Sequence, residues 1–192
     1  MKKIYFVTSN KAKHFSAKTY LKRFGIDVIQ KNLEIPESRG SVEEIAVKKA
    51  KYAYKIFRKP LIAMDSGFFI HSLKGFPMMF TNFVLKTIGI EGILKLVKGT
   101  DSICEFKEVL SYCDSPRKKP KLFTRIIKGR ISEKPLGKVR PYHWSDLALV
   151  FIPVGEEKTL AEMTKKEFMD FRKTVNKNSH WVRFGKFFSK IS

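Results

Sequence analysis

Cysteine is scarce in this chain of 192 residues; the two present are Cys104 and Cys113. Two cysteines at that spacing exclude a disulfide framework and a cysteine-built zinc site. Reduced thiols and a cytoplasmic location are the expectation. Long apolar runs are missing as well. No stretch approaches the roughly 18 apolar residues that would read as a membrane-spanning helix. The opening MKKIYFVTSNKAKH lacks the apolar stretch and small-residue cleavage site of a signal peptide, and reads instead as a first strand. Glycine-rich phosphate loops of the common nucleotide-binding folds are absent, and so are internal repeats and low-complexity linkers. Acidic residues are few: Asp+Glu number 18 against 39 Lys+Arg, a net charge of +21. Such a field draws polyanions, whether nucleic acid, nucleotides or an acidic partner. The cations are spread along the chain with only a modest cluster from Ser115 to Lys121, so charge alone does not choose among them.

What is present is a core. Hydrophobic residues make up 43% of the chain, and the length suits a single domain, residues 1–192, with two lobes. Strand and helix patterns alternate, the mark of an α/β fold with a mixed sheet. KIYFVTS reads as a strand. KAKHFSAKTYLKRFG places Phe15, Tyr20, Leu21 and Phe24 toward one side of a helix that stops at Gly25. IDVIQKNL is a second strand, EIPESRG a loop, and Ser41 with Glu44 forms the capping-box start of a long amphipathic helix. PLIAMD reads as a buried strand ending at Asp65. One or two helices follow the Gly75-Phe76-Pro77 turn. SICEFKEVLSYCD and KLFTRIIKGRISEK read as paired long strands, DLALVFIP as another strand, and TLAEMTKKEFMDFRKTV and NSHWVRFGKFFSKI as helices.

Three stretches can carry chemistry. Thr8, Asn10 and Lys13 lie where the first strand turns into a helix, whose free N–H groups and nearby lysine make a phosphate cradle. Glu37 sits in the loop before the capped helix. Asp65 ends an apolar strand, the place where open α/β sheets receive ligands. Two carboxylates beside a phosphate cradle suit Mg²⁺, which takes one or two protein carboxylates and completes its sphere with water and phosphate oxygens.

These residues occur in a familiar order. TSNKAK, PESRGSVEEIAVKKA, DSGFFIHSLKGFP, FIPVGEEKTLAEMT and NSHWVRF together resemble the inosine triphosphate pyrophosphatase family, nearly end to end. The resemblance implies an elongated α/β molecule with a mixed central sheet flanked by helices, two lobes and a cleft between them, commonly a homodimer. It implies hydrolysis of non-standard purine nucleoside triphosphates to monophosphate and pyrophosphate. Thr8, Asn10, Lys13, Lys49, Ser66, Ser179 and His180 would bind the nucleotide, Glu37 and Asp65 would hold Mg²⁺ (or Mn²⁺), and Asp65 with Lys13 would serve the chemistry.

The chain departs from that family at several positions. Met64 stands where an acid precedes the Asp-Ser-Gly aspartate, Met78 where a glycine follows the Gly-x-Pro turn, and Asn82 where a basic residue follows it. Arg39 replaces a glutamine. Ala148 falls where an aspartate recognises the base, with Asp146 able to substitute only by a two-residue shift. Phe168 falls where a lysine stands, and Trp181 takes the place of the arginine in Ser-His-Arg, with Arg183 two positions later. The expectation is a Mg²⁺-dependent pyrophosphatase with altered base selectivity. The alternative is a catalytically degenerate chain using the same fold to bind nucleic acid or protein.

Overall fold

The computed structural model of the chain describes residues 1–36 and 39–191. Seven strands form one mixed sheet: β1 (Lys2–Val7), β2 (Ile26–Lys31), β3 (Leu61–Ile70), β4 (Pro77–Met78), β5 (Ile103–Cys113), β6 (Lys121–Ile131) and β7 (Phe151–Pro153). Their order is β2-β1-β3-β5-β6-β7, with β4 paired to β3. The helices are α1 (Lys11–Leu21), α2 (Val42–Phe57), α3 (Thr81–Thr87), α4 (Gly89–Val97), α5 (Lys165–Asn176) and α6 (His180–Lys190). Strands β1, β2 and β3 are parallel, with Val7 opposite both Lys31 and Ala63, so α1 and α2 are crossover helices. β4 and β7 pair antiparallel to β3 and β6. The α/β class and mixed sheet expected from the alternating pattern are both present.

The chain divides into two compact units. The first comprises Met1–Ser66, Glu108–Arg125 and the segment from Asn176 onward. Its strands are apolar on both faces, and their two-residue period sorts the side chains. Phe6, Ile62, Met64, Leu110, Tyr112 and Phe123 join α1 and α6 residues in one buried cluster. Val7, Leu61, Ala63 and Cys113 join Ala50 and Ala53 of α2 in another. Helix α2 starts as read: the Ser41 side chain accepts from the Glu44 N–H while Glu44 reaches back to the Ser41 N–H. Helix α1 buries Ala17 and Leu21, but Phe15, expected on that side, is 67% exposed. Two residues separate it from Ala17, which turns it about 200° around the axis, away from the core.

The second unit comprises Gly67–Lys107 and Ile126–Val175. Its core gathers Phe68, Phe151, Phe168 and Phe171, with Phe106 and Trp144 packed against it. Two expectations are corrected here. DLALVFIP is not one strand: Asp146–Leu149 is a turn of 3-10 helix and only Phe151–Pro153 is extended. A strand through this stretch would also separate the Ser145 hydroxyl from the Leu147 N–H it accepts, a local bond that favours the turn. Nor does the strand from Leu61 stop at Asp65; it runs on to Ile70, because β4 supplies a further partner at Phe68 and Phe69.

That small strand depends on one close approach. Met78 lies at φ 54, in the left-handed region that suits glycine, and brings its carbonyl against Gly67. A Cβ on Gly67 would lie 2.7 Å from the Met78 oxygen and 2.9 Å from its carbonyl carbon. Gly67→Ala is therefore expected to cost about 2 kcal/mol of stability. The measurement is urea unfolding, with the midpoint lowered and the slope unchanged; an unmoved midpoint would show that β4 shifts away freely.

Candidate functional site

The site begins where β1 ends. The Thr8 N–H donates to the Lys31 carbonyl at 3.0 Å, and the Thr8 carbonyl accepts from Gln30 Nε2 at 2.9 Å. Thr8 is thus fixed against β2, and its hydroxyl accepts from the Asn10 N–H at 3.1 Å. Asn10 caps α1: its Oδ1 accepts from the Lys13 N–H at 2.9 Å. No acid stands in the first turn of α1, so no carboxylate of that turn offsets its positive end.

Lys13 extends from that turn and donates its ammonium to Ser66 Oγ at 3.1 Å. Burial pushes its pKa below the ordinary lysine value, while Glu108 and Asp65 oppose that fall and Lys49 adds to it. One residue before Ser66, Asp65 is 9% exposed and its carboxylate is ion-paired with Lys49 of α2. Thr8, Asn10, Lys13, Ser66, Lys49 and Asp65 therefore lie within the first unit, linked by hydrogen bonds or an ion pair, from the loop after β1 and from α1, α2 and β3. Glu37 lies outside the described residues. Among the described residues no group of three or more His, Cys, Asp or Glu side chains is arranged to hold a metal ion.

A second group of polar residues in this unit sets Ser179 and His180 beside Glu108, Arg125 and Asn176, three residues that were not among the sequence expectations. Arg125 Nε donates to Glu108 Oε2 at 2.6 Å, Arg125 Nη2 pairs with the same oxygen, and Arg125 Nη1 donates to Asn176 Oδ1 at 2.7 Å. His180 Nδ1 is 3.9 Å from Glu108 Oε2. Burial works to raise the Glu108 pKa, yet Arg125, His180 and Lys13 together hold it below the ordinary carboxylate value. Ser179 Oγ and both ring nitrogens of His180 are buried without a hydrogen-bond partner among the described residues. The signal for Glu108 and Arg125 was strand register. Glu108 alternates with Leu110 and Tyr112, and Arg125 with Phe123, so both charges fall on a face that is otherwise core.

The family departures take definite places. Met64 and Trp181 belong to the same buried apolar cluster, where Trp181 meets Phe6 edge to face at 5.6 Å. The expected acid and arginine positions are thus both core. Arg39 is exposed, its carbonyl accepting from Lys48 Nζ at 2.9 Å. In the second unit, Asn82 is exposed on α3 and Ala148 is buried in the 3-10 turn. Phe168 of α5 is fully buried against Tyr142, His143 and Trp144, with ring centroids 5.0 to 6.0 Å apart.

Comparison with known proteins agrees with this arrangement. The model of the Ham1 family matches residues 4–177. The chain is 41% identical over 167 residues to a dITP/XTP pyrophosphatase of Methanopyrus kandleri, covering 86% of each. It is 39% identical over 188 residues to a protein of the same description from Saccharolobus solfataricus, covering 96% of this chain and 91% of that one. Among solved structures, the HAM1 protein from Coxiella burnetii superimposes with a TM-score of 0.80 at 21% identity, covering 100% of this chain and 98% of that one. The Staphylococcus aureus Ham1 protein does so with a TM-score of 0.78 at 22% identity, covering 100% of both.

His180 makes stability depend on pH. Burial pushes its pKa from 6.5 down to about 3, against the pull of Glu108. The unfolded chain therefore takes up this proton first as pH falls. The stability held by the neutral ring is complete above pH 6.5 and drains away toward pH 3. Between pH 7 and pH 5 this group is expected to cost about 2 kcal/mol. Urea unfolding of the wild type and His180→Leu at both pH values checks it, the variant losing that portion of the slope; parallel pH dependences would refute it.

Proposed function

The chain belongs to the Ham1 family, and from that premise we propose that it is a metal-dependent nucleoside triphosphate pyrophosphatase. Its products would be a nucleoside monophosphate and pyrophosphate. The observation that carries the reading is the junction of an anion site with a buried carboxylate: the Asn10-capped start of α1 reaches Ser66 through Lys13, next to the Lys49–Asp65 pair. The relatives described as dITP/XTP pyrophosphatases support non-standard purine nucleotides as substrates.

The donor set fits Mg²⁺ or Mn²⁺. Asp65 offers hard carboxylate oxygen, is nearly enclosed, and already faces a cation in Lys49. A site with few protein ligands is the habit of Mg²⁺, which retains waters and takes phosphate oxygens. Asp65, with Glu37 by family resemblance, would hold the ion. When bound, it supplies charge neutralisation on the phosphate oxygens and acidifies coordinated water.

The chain's own residues would do the rest. Thr8, Asn10 and the first N–H groups of α1 hold phosphate oxygens, and Lys13 and Lys49 balance the charge that gathers on the leaving pyrophosphate. Asp65 orients the water whose oxygen attacks the α-phosphorus. As that bond forms, the bond between the α-phosphorus and the bridging oxygen breaks, and pyrophosphate leaves with the electron pair. Ser179 and His180 offer unpartnered polar atoms to the nucleotide. Base selectivity differs from the family's in this reading, because Ala148, Phe168 and Trp181 present no hydrogen-bonding group of the expected kind. A homodimer accompanies the proposal by the same resemblance, and a cytoplasmic location by the reduced thiols expected of Cys104 and Cys113.

The net charge of +21 favours one second reading, a silent member of the fold that binds nucleic acid or an acidic protein. Pyrophosphate release from ITP, XTP, dITP and the four ordinary NTPs, with Mg²⁺ or Mn²⁺, separates the two. The expected outcome is release from non-standard purine nucleotides, reduced about 100-fold or more by Asp65→Asn. No release from any of these nucleotides would sink the enzymatic reading. RNA binding that collapses between 50 and 200 mM salt, as counterion release requires, would then favour the second.

A further inference from the structure

We infer that the Glu108–Arg125 ion pair is a positioning device: it fixes the turn that presents Ser179 and His180, and so sets how tightly the nucleotide is held. The inference rests on the proposed function and adds two residues to that site.

The chain of contacts is continuous. Glu108 of β5 and Arg125 of β6 stand on neighbouring strands. Arg125 uses Nε and Nη2 on one Glu108 oxygen and Nη1 on Asn176 Oδ1. Asn176 ends α5, and its carbonyl accepts from the Ser179 N–H at 3.3 Å. Ser179 stands at the N-cap of α6, and its carbonyl accepts from the Arg183 N–H at 3.0 Å. Arg183 Nη2 in turn donates to the Thr124 carbonyl, the residue before Arg125. The turn is thus anchored to β6 at both ends.

The polar atoms on that turn are left for something else. A serine at an N-cap normally accepts from the helix it begins, yet Ser179 makes no such bond and its hydroxyl is buried and unpartnered. His180 is fully buried with both nitrogens unpartnered. Buried polar groups are ordinarily satisfied. Two adjacent exceptions, held by an ion pair beneath them, fit a receptor for a hydrogen-bonding group of the ligand. The pair itself is not needed for stability, since a buried ion pair gains little over an apolar pair of similar volume. Its neighbours in register, Leu110 and Phe123, are core residues already. What the charges add is direction: the planar guanidinium fork grips Glu108 and Asn176 at once, which an apolar side chain cannot do.

That contrast provides the test. The double variant Glu108→Leu/Arg125→Met and the single variant Arg125→Lys are compared with the wild type by thermal unfolding, by calorimetric binding of ITP with Ca²⁺, and by steady-state pyrophosphate release. The double variant is expected to unfold within about 3 °C of the wild type. Its ITP dissociation constant and KM should rise about tenfold or more, with kcat changing much less. Arg125→Lys keeps the charge but not the fork, and should also weaken ITP binding. ITP binding within twofold of wild type in either folded variant overturns the inference. If the double variant does not fold, Arg125→Lys decides. A wild type that binds ITP without releasing pyrophosphate overturns the proposed function alone, and the binding comparison still decides the positioning role. A wild type that does not bind ITP overturns both.

Discussion

A carboxylate in the middle of a strand that is buried on both faces must be met by a cation, and Asp65 imposes that condition on everything around it. Uncompensated, its charge would cost more than the strand's packing could offset. Lys49 meets it, which requires α2 to lie across that face of β3 in one register. The Ser41–Glu44 capping box sets where α2 begins. The alanines at 46, 50 and 53 are fully buried and let the helix approach closely. On the other face, the next residue, Ser66, takes the ammonium of Lys13, which ties the start of α1 to the same strand. Two helices from either side of β3 are thereby referred to two consecutive residues.

Much of this was legible because local chemistry and burial agree. The capping box of α2, the strand-to-helix junction at Asn10 and the short apolar run of β1 are short-range patterns, and each forms as read. The proximity of Thr8, Asn10 and Lys13 was legible for the same reason, since they fall within one strand-to-helix junction. Where the reading stopped short, the deciding partner was distant in sequence or the periodicity was miscounted. β3 runs past Asp65 because β4 pairs with it, and nothing near Asp65 announces that. Phe15 was placed by spacing on the side of Tyr20, Leu21 and Phe24, although its angle from the buried Ala17 turns it outward. Glu108 and Arg125 belong to no motif. Each looks like an ordinary surface charge until the two strands are placed side by side.

The pattern of departures is coherent in physical terms. The acid and the arginine that family resemblance leads one to expect at positions 64 and 181 are replaced by Met64 and Trp181, which share one apolar cluster. An acid and an arginine stand instead at Glu108 and Arg125, whose strand neighbours Leu110 and Phe123 belong to that cluster. Removing one member of a buried ion pair strands the other, whereas changing both together does not. Paired change is therefore what a core of this kind tolerates. In the second unit, Phe168 fills a core position among Tyr142, His143 and Trp144, so the segment that resemblance associates with the base is packed by α5.

The division of the chain into units has a consequence for the order in which the molecule can be completed. The first unit is assembled from three separate segments, and the second draws all of its residues from between the first and last of them. During synthesis, β1, β2 and β3 emerge early with one face still bare, because Trp181, Phe184 and Phe188 of α6 finish the cluster that Phe6 and Ile62 begin. That closure joins residues more than 170 positions apart, the kind of long-range contact that folds slowly. The half of the molecule that carries the earliest motifs is therefore the last to be sealed, and a chain cut short before α6 leaves the Phe6 face of its oldest strand uncovered.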